Sequence, residues 1–281
     1  MESPREKFRL ALSGRYTRHE ADSLWRAFVS AVCRVPENQA YFREDSDFTE
    51  AQRARLEAIG AELAAGVPYQ HLLGYQELGG LRFKVSANTL IPRPETAELA
   101  EWIQSDLARR PPAAILDLGT GCGYLAIVLA LAFPDAEVTA VDLSAKALEV
   151  ACENARLHRV SVHFAEADML QPLPLGDTRF DLIVSNPPYI TPSEKAAMSD
   201  TVWAHEPAMA LFAPEGRPLL FYESIARTAS DRLTPGGSLY LEINQRFGAG
   251  TLRLLEKEGF SAALRQDSFG HDRMIRASRR L

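Results

Sequence analysis

The segment at 181–190, DLIVSNPPYI, holds the side chains best suited to chemistry. Its apolar start predicts a buried parallel strand. The strand must stop at Asn186-Pro187-Pro188-Tyr189, because proline lacks the backbone N–H and fixes φ. Asn186 and Tyr189 are then held at the carboxyl end of a strand, where open α/β sheets bind their ligands. An amide oxygen, a neighbouring carbonyl and a flat aromatic face suit a planar NH₂ group attached to an sp² carbon.

A glycine-rich segment lies upstream at 113–123, with the sequence AAILDLGTGCG. An apolar strand pattern leads directly into its loop, which consists of Gly119, Thr120, Gly121, Cys122 and Gly123. An Ala/Leu-rich helix pattern follows the loop. Strand, glycine turn and helix together predict the nucleotide-binding start of a doubly wound fold. Glycines permit tight turning and let a ligand touch the backbone.

Two acidic residues follow at predicted strand ends. The strand pattern at 137–141 ends in Asp142, where a carboxylate can accept both hydroxyls of an adenosine ribose. Asp168 ends a third strand pattern, and Met169 beside it is an apolar group placed to lie against a flat base. The glycine loop and the two acidic strand ends together predict a cofactor that contains adenosine.

Two classes of cofactor fit such a crevice. NAD(P) enzymes use the spacing G-x-G-x-x-G, with a pyrophosphate at the helix N-terminus. Here the spacing from Gly119 to Gly123 is G-x-G-x-G, and the preceding Asp117 places a carboxylate near the loop. A carboxylate repels a pyrophosphate but can pair with the ammonium of an amino acid. S-adenosylmethionine, which carries adenosine, an ammonium and a sulfonium, therefore fits these groups better than NAD(P).

Composition limits the class of protein. The chain has 281 residues, 46% of them hydrophobic, which allows one large domain and a small one. Its net charge of −6 and its lack of a basic stripe disfavour general binding to nucleic acid. Three scattered cysteines indicate neither a disulfide framework nor a zinc spacing, and no metal is expected. No signal peptide or membrane-spanning pattern is evident, so a cytoplasmic protein without a membrane partner is expected.

The first part of the chain has only helical patterns. Thr17 and Thr49 each begin a capping box, and apolar residues then recur at helical spacing. Gly66 and Pro68 end the second of these helices. We expect residues 1–70 to form a separate helical domain; the alternative is a set of helices packed onto the main sheet as its extension.

Residues 71–95 differ in pattern. The alternation at 81–85 is typical of a half-exposed strand and predicts a linking β-hairpin, and Pro94 suits the first position of a helix. Residues 96–281 then alternate strand and helix patterns and finish in two strands that predict an antiparallel hairpin. The pattern favours an α/β protein with the doubly wound, seven-stranded, class I S-adenosylmethionine-dependent methyltransferase fold and a small N-terminal helical domain.

The chain resembles the protein-(glutamine-N5) methyltransferases that modify peptide chain release factors, the HemK/PrmC family. The resemblance covers nearly the whole length, and its marks are GYQELGGLRFKV, LIPRPETAELAEWI, DLGTGCGYLAIVLA, AVDLSAKAL, NPPYI, HEPAMAL, LTPGGSLYLEI and DSFGHDRMI. The NPPY motif alone is also found in N6-adenine DNA and guanine-N2 RNA methyltransferases, whereas the PRPET segment occurs in a much narrower range of families. A sister family that acts on a ribosomal protein usually has PRSP in that place.

The resemblance implies a function in translation termination. The target would be the glutamine of the Gly-Gly-Gln motif in release factors, and the methyl donor would be S-adenosylmethionine, bound at Gly119 to Gly123 and Asp142, with Met169 against the adenine. Asn186 to Tyr189 would bind the glutamine. A monomer with no direct nucleic-acid partner is expected. One departure is visible, since Phe247 stands where the family usually has glutamine in the loop after LEI; it puts a role for that loop in doubt.

The implied chemistry depends on orientation. An amide nitrogen is a poor nucleophile, so the site must hold nitrogen, methyl carbon and sulfur in line. The Asn186 side-chain oxygen and the Pro187 carbonyl would accept the two amide N–H bonds and stabilise positive charge growing on nitrogen. Tyr189 would pack on the amide face. The proton becomes acidic only after transfer, and Glu95, Glu206 or water could take it.

Two other hypotheses are compatible with some of these residues. One is a nucleic-acid N-methyltransferase with the same NPPY wall, which the acidic balance and the absence of a target-recognition insert disfavour. The other is a catalytically silent scaffold or binding module with this fold. The intact glycine loop, Asp142 and NPPY disfavour that reading, because a silent copy has no reason to keep all three.

Overall fold

The computed structural model describes residues 3–197 and 199–279. Its N-terminal part consists of helices α1 (Pro4–Leu12), α2 (Arg18–Cys33), α3 (Glu37–Ala40), α4 (Glu50–Ala64) and α5 (Tyr69–Leu73). Both predicted capping boxes are confirmed. The Thr17 hydroxyl accepts from the backbone N–H of Glu20, whose carboxylate accepts from the N–H of Thr17 at 2.7 Å. Thr49 and Gln52 repeat the arrangement at the start of α4.

These helices pack into one compact unit, which consists of the chain up to Gly74 together with the later segment Ser199–His205. Its core is aromatic: the Phe8 and Phe48 rings each meet Trp25 edge-on, at centroid distances of 5.4 Å and 5.9 Å. The Arg15 guanidinium donates two hydrogen bonds, at 2.8 Å and 2.6 Å, to the carboxylate of Asp200 in the short helix α9 (Asp200–Trp203). A segment distant in sequence is thereby attached to the helical unit.

The second unit begins at Tyr75 with an antiparallel hairpin of β1 (Tyr75–Leu78) and β2 (Leu81–Lys84). Its main sheet has seven strands in the order β5-β4-β3-β6-β7-β9-β8. The strands are β3 (Ala114–Leu118), β4 (Glu137–Asp142), β5 (His163–Glu166), β6 (Phe180–Ser185), β7 (Leu233–Glu242), β8 (Phe260–Gln266) and β9 (Asp272–Arg279). The first five in this order are parallel, and β9 runs antiparallel to both of its neighbours.

Helices cover both faces of this sheet. They are α6 (Pro94–Leu107), α7 (Tyr124–Ala132), α8 (Ala145–His158), α11 (Leu220–Arg232) and α12 (Gly248–Lys257), and a short helix, α10 (Ala208–Leu211), precedes α11. Buried residues of α6, α7 and α8 form one apolar cluster with Ile115 of β3, and those of α11 and α12 form another with Leu116. Successive residues of β3 thus enter opposite cores, as a strand buried on both sides requires. The predicted doubly wound fold with an antiparallel closing hairpin is confirmed.

The strand order reverses direction between β3 and β6, because β4 and β5 extend the sheet to one side and β7 to the other. Such a switch point leaves a crevice at the carboxyl ends of the two strands. Among the described residues, none of the helices has both the length and the apolar composition of a membrane span.

Asn154 of α8 connects the glycine loop to the β1–β2 hairpin. Its buried amide oxygen accepts from the Lys84 backbone N–H at 2.7 Å. Its nitrogen donates to the carbonyls of Lys84 at 3.0 Å and Cys122 at 2.8 Å. One side chain therefore satisfies three backbone groups on two separate segments.

We expect Asn154→Ala to lower the free energy of unfolding by more than about 2 kcal/mol, because each buried polar group left without a partner costs about 1–3 kcal/mol. Urea unfolding followed by circular dichroism measures the change. Asn38→Ala, at an exposed position of α3, is the matched control and should stay within about 0.5 kcal/mol of the parent. Equal stability of the two variants would contradict the connecting role of Asn154.

Candidate active site

The parallel register of β3 and β6 brings the glycine loop and the NPPY segment together. Leu118, the last residue of β3, pairs with Ser185, the last residue of β6. The Ser185 hydroxyl also donates to the Leu118 carbonyl at 2.6 Å. The next residues along the two strands are Gly119 and Asn186, so the two predicted motifs start side by side.

A cavity of about 270 Å³ opens at this point. Most of the predicted site residues line it: Gly119, Thr120, Gly121, Cys122, Asp142, Asp168, Met169, Asn186 and Pro188. Gly123, Pro187 and Tyr189, which all belong to the described chain, are not among its lining residues. Gly123 instead caps the N-terminus of α7 with a left-handed φ of 85°.

The glycine loop is fixed by its own backbone. The N–H groups of Gly119 and Thr120 both donate to the Val141 carbonyl, at 2.9 Å and 3.0 Å. Gly119 has φ +74°, and a Cβ there would lie 2.8 Å from Cε of Met169. A side chain at this position would be strained by its backbone and would displace Met169. Glycine therefore lets Met169 pack directly on the loop at the cavity wall.

Asp117 is the most unusual group at the cavity. One carboxylate oxygen accepts from the Thr120 hydroxyl at 2.7 Å and the Ala126 backbone N–H at 3.2 Å. The other oxygen, Oδ1, is buried without a hydrogen-bond partner in the described chain. Burial raises the pKa of this carboxyl to about 7. An unpaired buried acceptor beside a cavity is suited to a cationic ligand group.

Asp142 contacts the loop from the neighbouring strand. Its two oxygens accept from the backbone N–H groups of Gly121 at 2.8 Å and Ser144 at 2.9 Å. Burial raises the pKa of this carboxyl, and the backbone hydrogen bonds oppose the shift. Each carboxylate oxygen can accept more than one hydrogen bond, so Asp142 retains capacity toward the cavity.

Two further predicted residues, Asp168 and Cys122, also line the cavity. The Asp168 carboxylate accepts from the Leu170 N–H at 2.8 Å, which caps the turn after β5. Burial raises the pKa of the Cys122 thiol to about 12, so it stays protonated at neutral pH and is no nucleophile. Cys122 is therefore a small wall residue rather than a reactive one.

Asn186 belongs to a chain of hydrogen bonds. Its Nδ2 donates to the Thr96 hydroxyl oxygen at 3.1 Å, and the Thr96 hydroxyl donates to Oε2 of Glu242 at 2.7 Å. The Tyr189 hydroxyl donates to Oε1 of the same carboxylate at 3.0 Å. The side chains of Asn186 and Tyr189 are thus both connected to Glu242, the first through Thr96 and the second directly. Burial raises the pKa of Tyr189 well above its usual value, so its hydroxyl keeps the proton.

Three residues that bond to the NPPY segment or extend its chain of hydrogen bonds do not stand out in the sequence by residue type. Thr96 stands at the start of α6, Glu242 ends β7, and Asn244 follows it. The Asn244 side chain donates to the Tyr189 carbonyl and to Glu194, each at 3.1 Å. In the sequence, Thr96 and Glu242 are marked only by their place in the PRPET and LEI segments, and Asn244 only by following LEI. The loop after LEI therefore supports the NPPY segment through Asn244, three residues before Phe247, the substitution that put the role of this loop in doubt.

Glu206, one of the predicted proton acceptors, is engaged elsewhere. It is buried, accepts from the Ile91 backbone N–H at 2.9 Å and forms an ion pair with Arg93. These bonds attach the HEPAMAL segment to the PRPET segment. Within residues 3–197 and 199–279, no cluster of His, Cys, Asp and Glu could hold a metal ion.

Comparison with solved structures supports the fold. The hMettl16 catalytic domain, solved with the MAT2A 3′UTR hairpin 6, matches with a TM-score of 0.56 at 16% identity, covering 83% of each chain. The 16S rRNA N2 G1207 methyltransferase of Thermus thermophilus, in complex with AdoMet and guanosine, matches with a TM-score of 0.52 at 22% identity. It covers 73% of this chain and 50% of its own. At these identities the likeness concerns the fold.

Comparison with the sequences of known proteins identifies the family as well as the fold. Residues 96–218 match the family described as "Methyltransferase small domain". The "Release factor glutamine methyltransferase" of Flavobacterium psychrophilum is 39% identical over 98% of this chain and 97% of its own length. The protein of the same name from Bacteroides thetaiotaomicron is 38% identical over 96% and 97%, and that from Deinococcus radiodurans is 42% identical over 77% and 76%. With this identity along nearly its whole length, the chain belongs to the release factor glutamine methyltransferase family.

Proposed function

We propose that the protein transfers a methyl group from S-adenosylmethionine to the side-chain amide nitrogen of the glutamine in the Gly-Gly-Gln motif of peptide chain release factors. The observation that carries the proposal is the placement of Asn186 in the same cavity as Asp117, Asp142 and the glycine loop. An amide-binding group and a cofactor-binding group must share one cavity for methyl transfer. The names of the relatives supply the substrate class.

The residues at the cavity fit S-adenosylmethionine. The unpaired Oδ1 of Asp117 suits the ammonium of the methionine part, and Asp142 at the end of β4 suits the ribose hydroxyls. Met169 and the exposed Leu143 offer apolar surface for adenine. When bound, this cofactor supplies a methyl carbon on a positively charged sulfur that leaves as a neutral group.

The chain's own residues orient the substrate amide. The Oδ1 atom of Asn186, which lines the cavity, accepts a hydrogen bond from one N–H of the substrate amide. The second N–H is assigned to the carbonyl of the adjacent Pro187 from the family resemblance, although Pro187 is not among the cavity-lining residues. Two such bonds would fix the amide plane and stabilise positive charge growing on its nitrogen. The position of Asn186 at the end of β6 is rigid, because Pro187 is buried and Nδ2 is anchored on Thr96. The Tyr189 ring is fixed by its bond to Glu242. Orientation of this kind accounts for much of the rate that such a site gains.

Selection of one protein among many needs contacts beyond the cavity, and we assign them to the helical unit. None of its described residues lines the cavity. It carries an exposed aromatic pair, Tyr41 and Phe42, and Phe42 is 77% exposed. Exposed aromatic groups of this size are typical anchors of protein interfaces. The glutamine itself must arrive on an accessible loop, where neighbouring glycines let the backbone come close.

The first prediction concerns Asp117 and pH. Since the ammonium needs the carboxylate form, cofactor affinity should rise between about pH 6 and pH 8, and binding near pH 7 should release a proton. Calorimetry in buffers of different ionisation enthalpy measures the release. Asp117→Asn should bind about 1–3 kcal/mol more weakly at pH 8 and lose the pH dependence.

The raised pKa of Asp117 also determines how the stability of the folded protein changes with pH. The unfolded chain loses this proton near pH 4 and the folded chain near pH 7, so ionisation of Asp117 costs stability as pH rises through this window. Without cofactor, Asp117→Asn should therefore be more stable than the parent at pH 8. Exposed Asp135→Asn is the control and should change neither affinity nor stability. Unchanged, pH-independent affinity in Asp117→Asn would contradict the ammonium assignment.

The second prediction concerns Asn186. Asn186→Ala should lose about 10²–10³ in turnover, the usual effect of removing one positioned polar group from a transition-state site, while cofactor affinity falls far less. Asn186→Asp is sharper, because a carboxylate keeps an acceptor but cannot donate to Thr96. Methyl transfer to a purified release factor measures both. A variant with parental turnover would show that this side chain does not orient the substrate.

The third prediction concerns the helical unit. A shortened chain beginning near Val67 should still bind S-adenosylmethionine but lose most activity on the intact release factor, and much less on a short Gly-Gly-Gln peptide, which neither form methylates well. Shortening also removes the packing around Asp200. Phe42→Ala avoids that change and should raise KM for the intact factor with little effect on kcat. Leu157→Ala, also at an exposed apolar position, is the control. An unchanged KM together with full activity of the shortened chain would remove the helical unit from recognition.

A further inference from the structure

We propose that Glu242, acting through Thr96, is a positioning residue that sets which end of the Asn186 amide faces the substrate. The proposal rests on the proposed function, in which Asn186 must present an acceptor to an amide NH₂ group. An asparagine side chain has an oxygen and a nitrogen of nearly equal size, so shape alone does not choose between its two orientations. Hydrogen-bond partners on one side must make the choice.

The structure places a group of fixed polarity at the end of this chain of bonds. Glu242 is fully buried at the end of β7, and as a carboxylate it can only accept hydrogen bonds. It accepts from Thr96 at 2.7 Å and from Tyr189 at 3.0 Å. The single hydroxyl proton of Thr96 is therefore committed to Glu242, and only lone pairs of Thr96 remain for Asn186.

The consequence reaches the cavity. A lone pair on Thr96 is satisfied only by the Nδ2 end of the Asn186 amide, which lies 3.1 Å away. The Oδ1 end is then left for the cavity that Asn186 and Thr96 both line. In the opposite orientation, Oδ1 would face the lone pairs of Thr96, and N–H groups would face the N–H groups of the substrate. The carboxylate thus enforces the productive orientation across two hydrogen bonds.

The charge of Glu242 is essential to this action. Burial raises its pKa, whereas the bonds from Thr96 and Tyr189 and the nearby Arg273 favour the charged form and Glu95 opposes it. A protonated Glu242 could donate to Thr96, which could then donate to Oδ1 of a reversed Asn186. Because both orientations would be satisfied, the protonated chain would lose its selectivity. Turnover should accordingly decline at acid pH as Glu242 takes up its proton.

Two isosteric substitutions test the proposal in the full-length protein. Glu242→Gln replaces an acceptor-only group by one that can donate, and Thr96→Val removes the intervening hydroxyl. We expect each to lower kcat on the release factor by about 10–100-fold, by analogy with the loss that follows removal of a hydrogen-bond partner that orients a metal ligand. Affinity for S-adenosylmethionine should change by less than about threefold in Glu242→Gln, because Glu242 does not line the cavity. Thr96→Ser keeps the hydroxyl and should retain most activity.

The matched control is Thr251→Val, which removes an equally buried hydroxyl from α12, where it donates to the Phe247 carbonyl. Its turnover should equal that of the parent after correction for folded fraction. A loss of activity in Thr251→Val as large as in Thr96→Val would overturn the proposal, since burial of a hydroxyl would then matter more than its bond to Asn186.

The preference between glutamine and glutamate in the substrate is a property that would not change if Glu242 had a purely structural role. A release factor with glutamate in place of the target glutamine presents a carboxylate, which the Oδ1 atom of Asn186 repels. In Glu242→Gln the amide can reverse and offer N–H donors to that carboxylate. We expect the parent's preference for the glutamine form, measured by calorimetry with S-adenosylhomocysteine bound, to shrink about tenfold or more in Glu242→Gln. The control should keep the parent's preference.

These experiments distinguish failure of the positioning role of Glu242 from failure of the proposed function. If the parent does not methylate the release factor, the proposed function fails. If the parent methylates it and both Glu242→Gln and Thr96→Val keep parental kcat and glutamine preference, the positioning role alone is overturned. The positioning role is also overturned if Glu242→Gln binds the glutamine form and the glutamate form of the factor more weakly by the same factor, so that the preference for glutamine is unchanged.

Discussion

The candidate active site depends on the alignment of two parallel strands, β3 and β6, at the point where the strand order of the sheet reverses. Leu118 and Ser185 end β3 and β6 opposite each other, and a hydrogen bond between them fixes that register. A shift of one residue would turn the following side chains to the other face of the sheet and separate the glycine loop from Asn186. The apolar cores on both faces resist such a shift, because β3 contributes residues to each of them. The register therefore converts two short motifs into one cavity.

Buried carboxylates are the second constraint. Asp117, Asp142 and Glu242 each lie in or beside the site, and burial raises the pKa of each. Their partners differ in kind. Asp142 is satisfied by backbone N–H groups, Glu242 by two hydroxyls, and Asp117 keeps one oxygen without a partner. The unpaired group lowers the stability of the ligand-free protein and is the one that a cationic part of the cofactor can complete.

Much of this organisation could be predicted from the sequence. The doubly wound sheet, the capping boxes and the closing hairpin follow from local patterns, and strand ends with Gly, Asp and Asn identify the cavity. The chain from Asn186 to Glu242 could not be predicted in this way, because its members are separated by 90 residues in one step and 146 in the next. A threonine at the start of a helix and a glutamate at the end of a strand are ordinary in their local setting. Only the packing of α6 against β7 brings them together.

The proposed function requires that the protein methylates the side-chain amide of a release factor glutamine. The most direct measurement is mass spectrometry of a purified release factor after incubation with the full-length protein and S-adenosylmethionine carrying a deuterated methyl group. We expect one labelled methyl on the glutamine of the Gly-Gly-Gln motif, and labelling that is about 10²–10³-fold slower with Asn186→Ala. Label on another residue, or on RNA or DNA added in parallel while the factor stays unmodified, would contradict it.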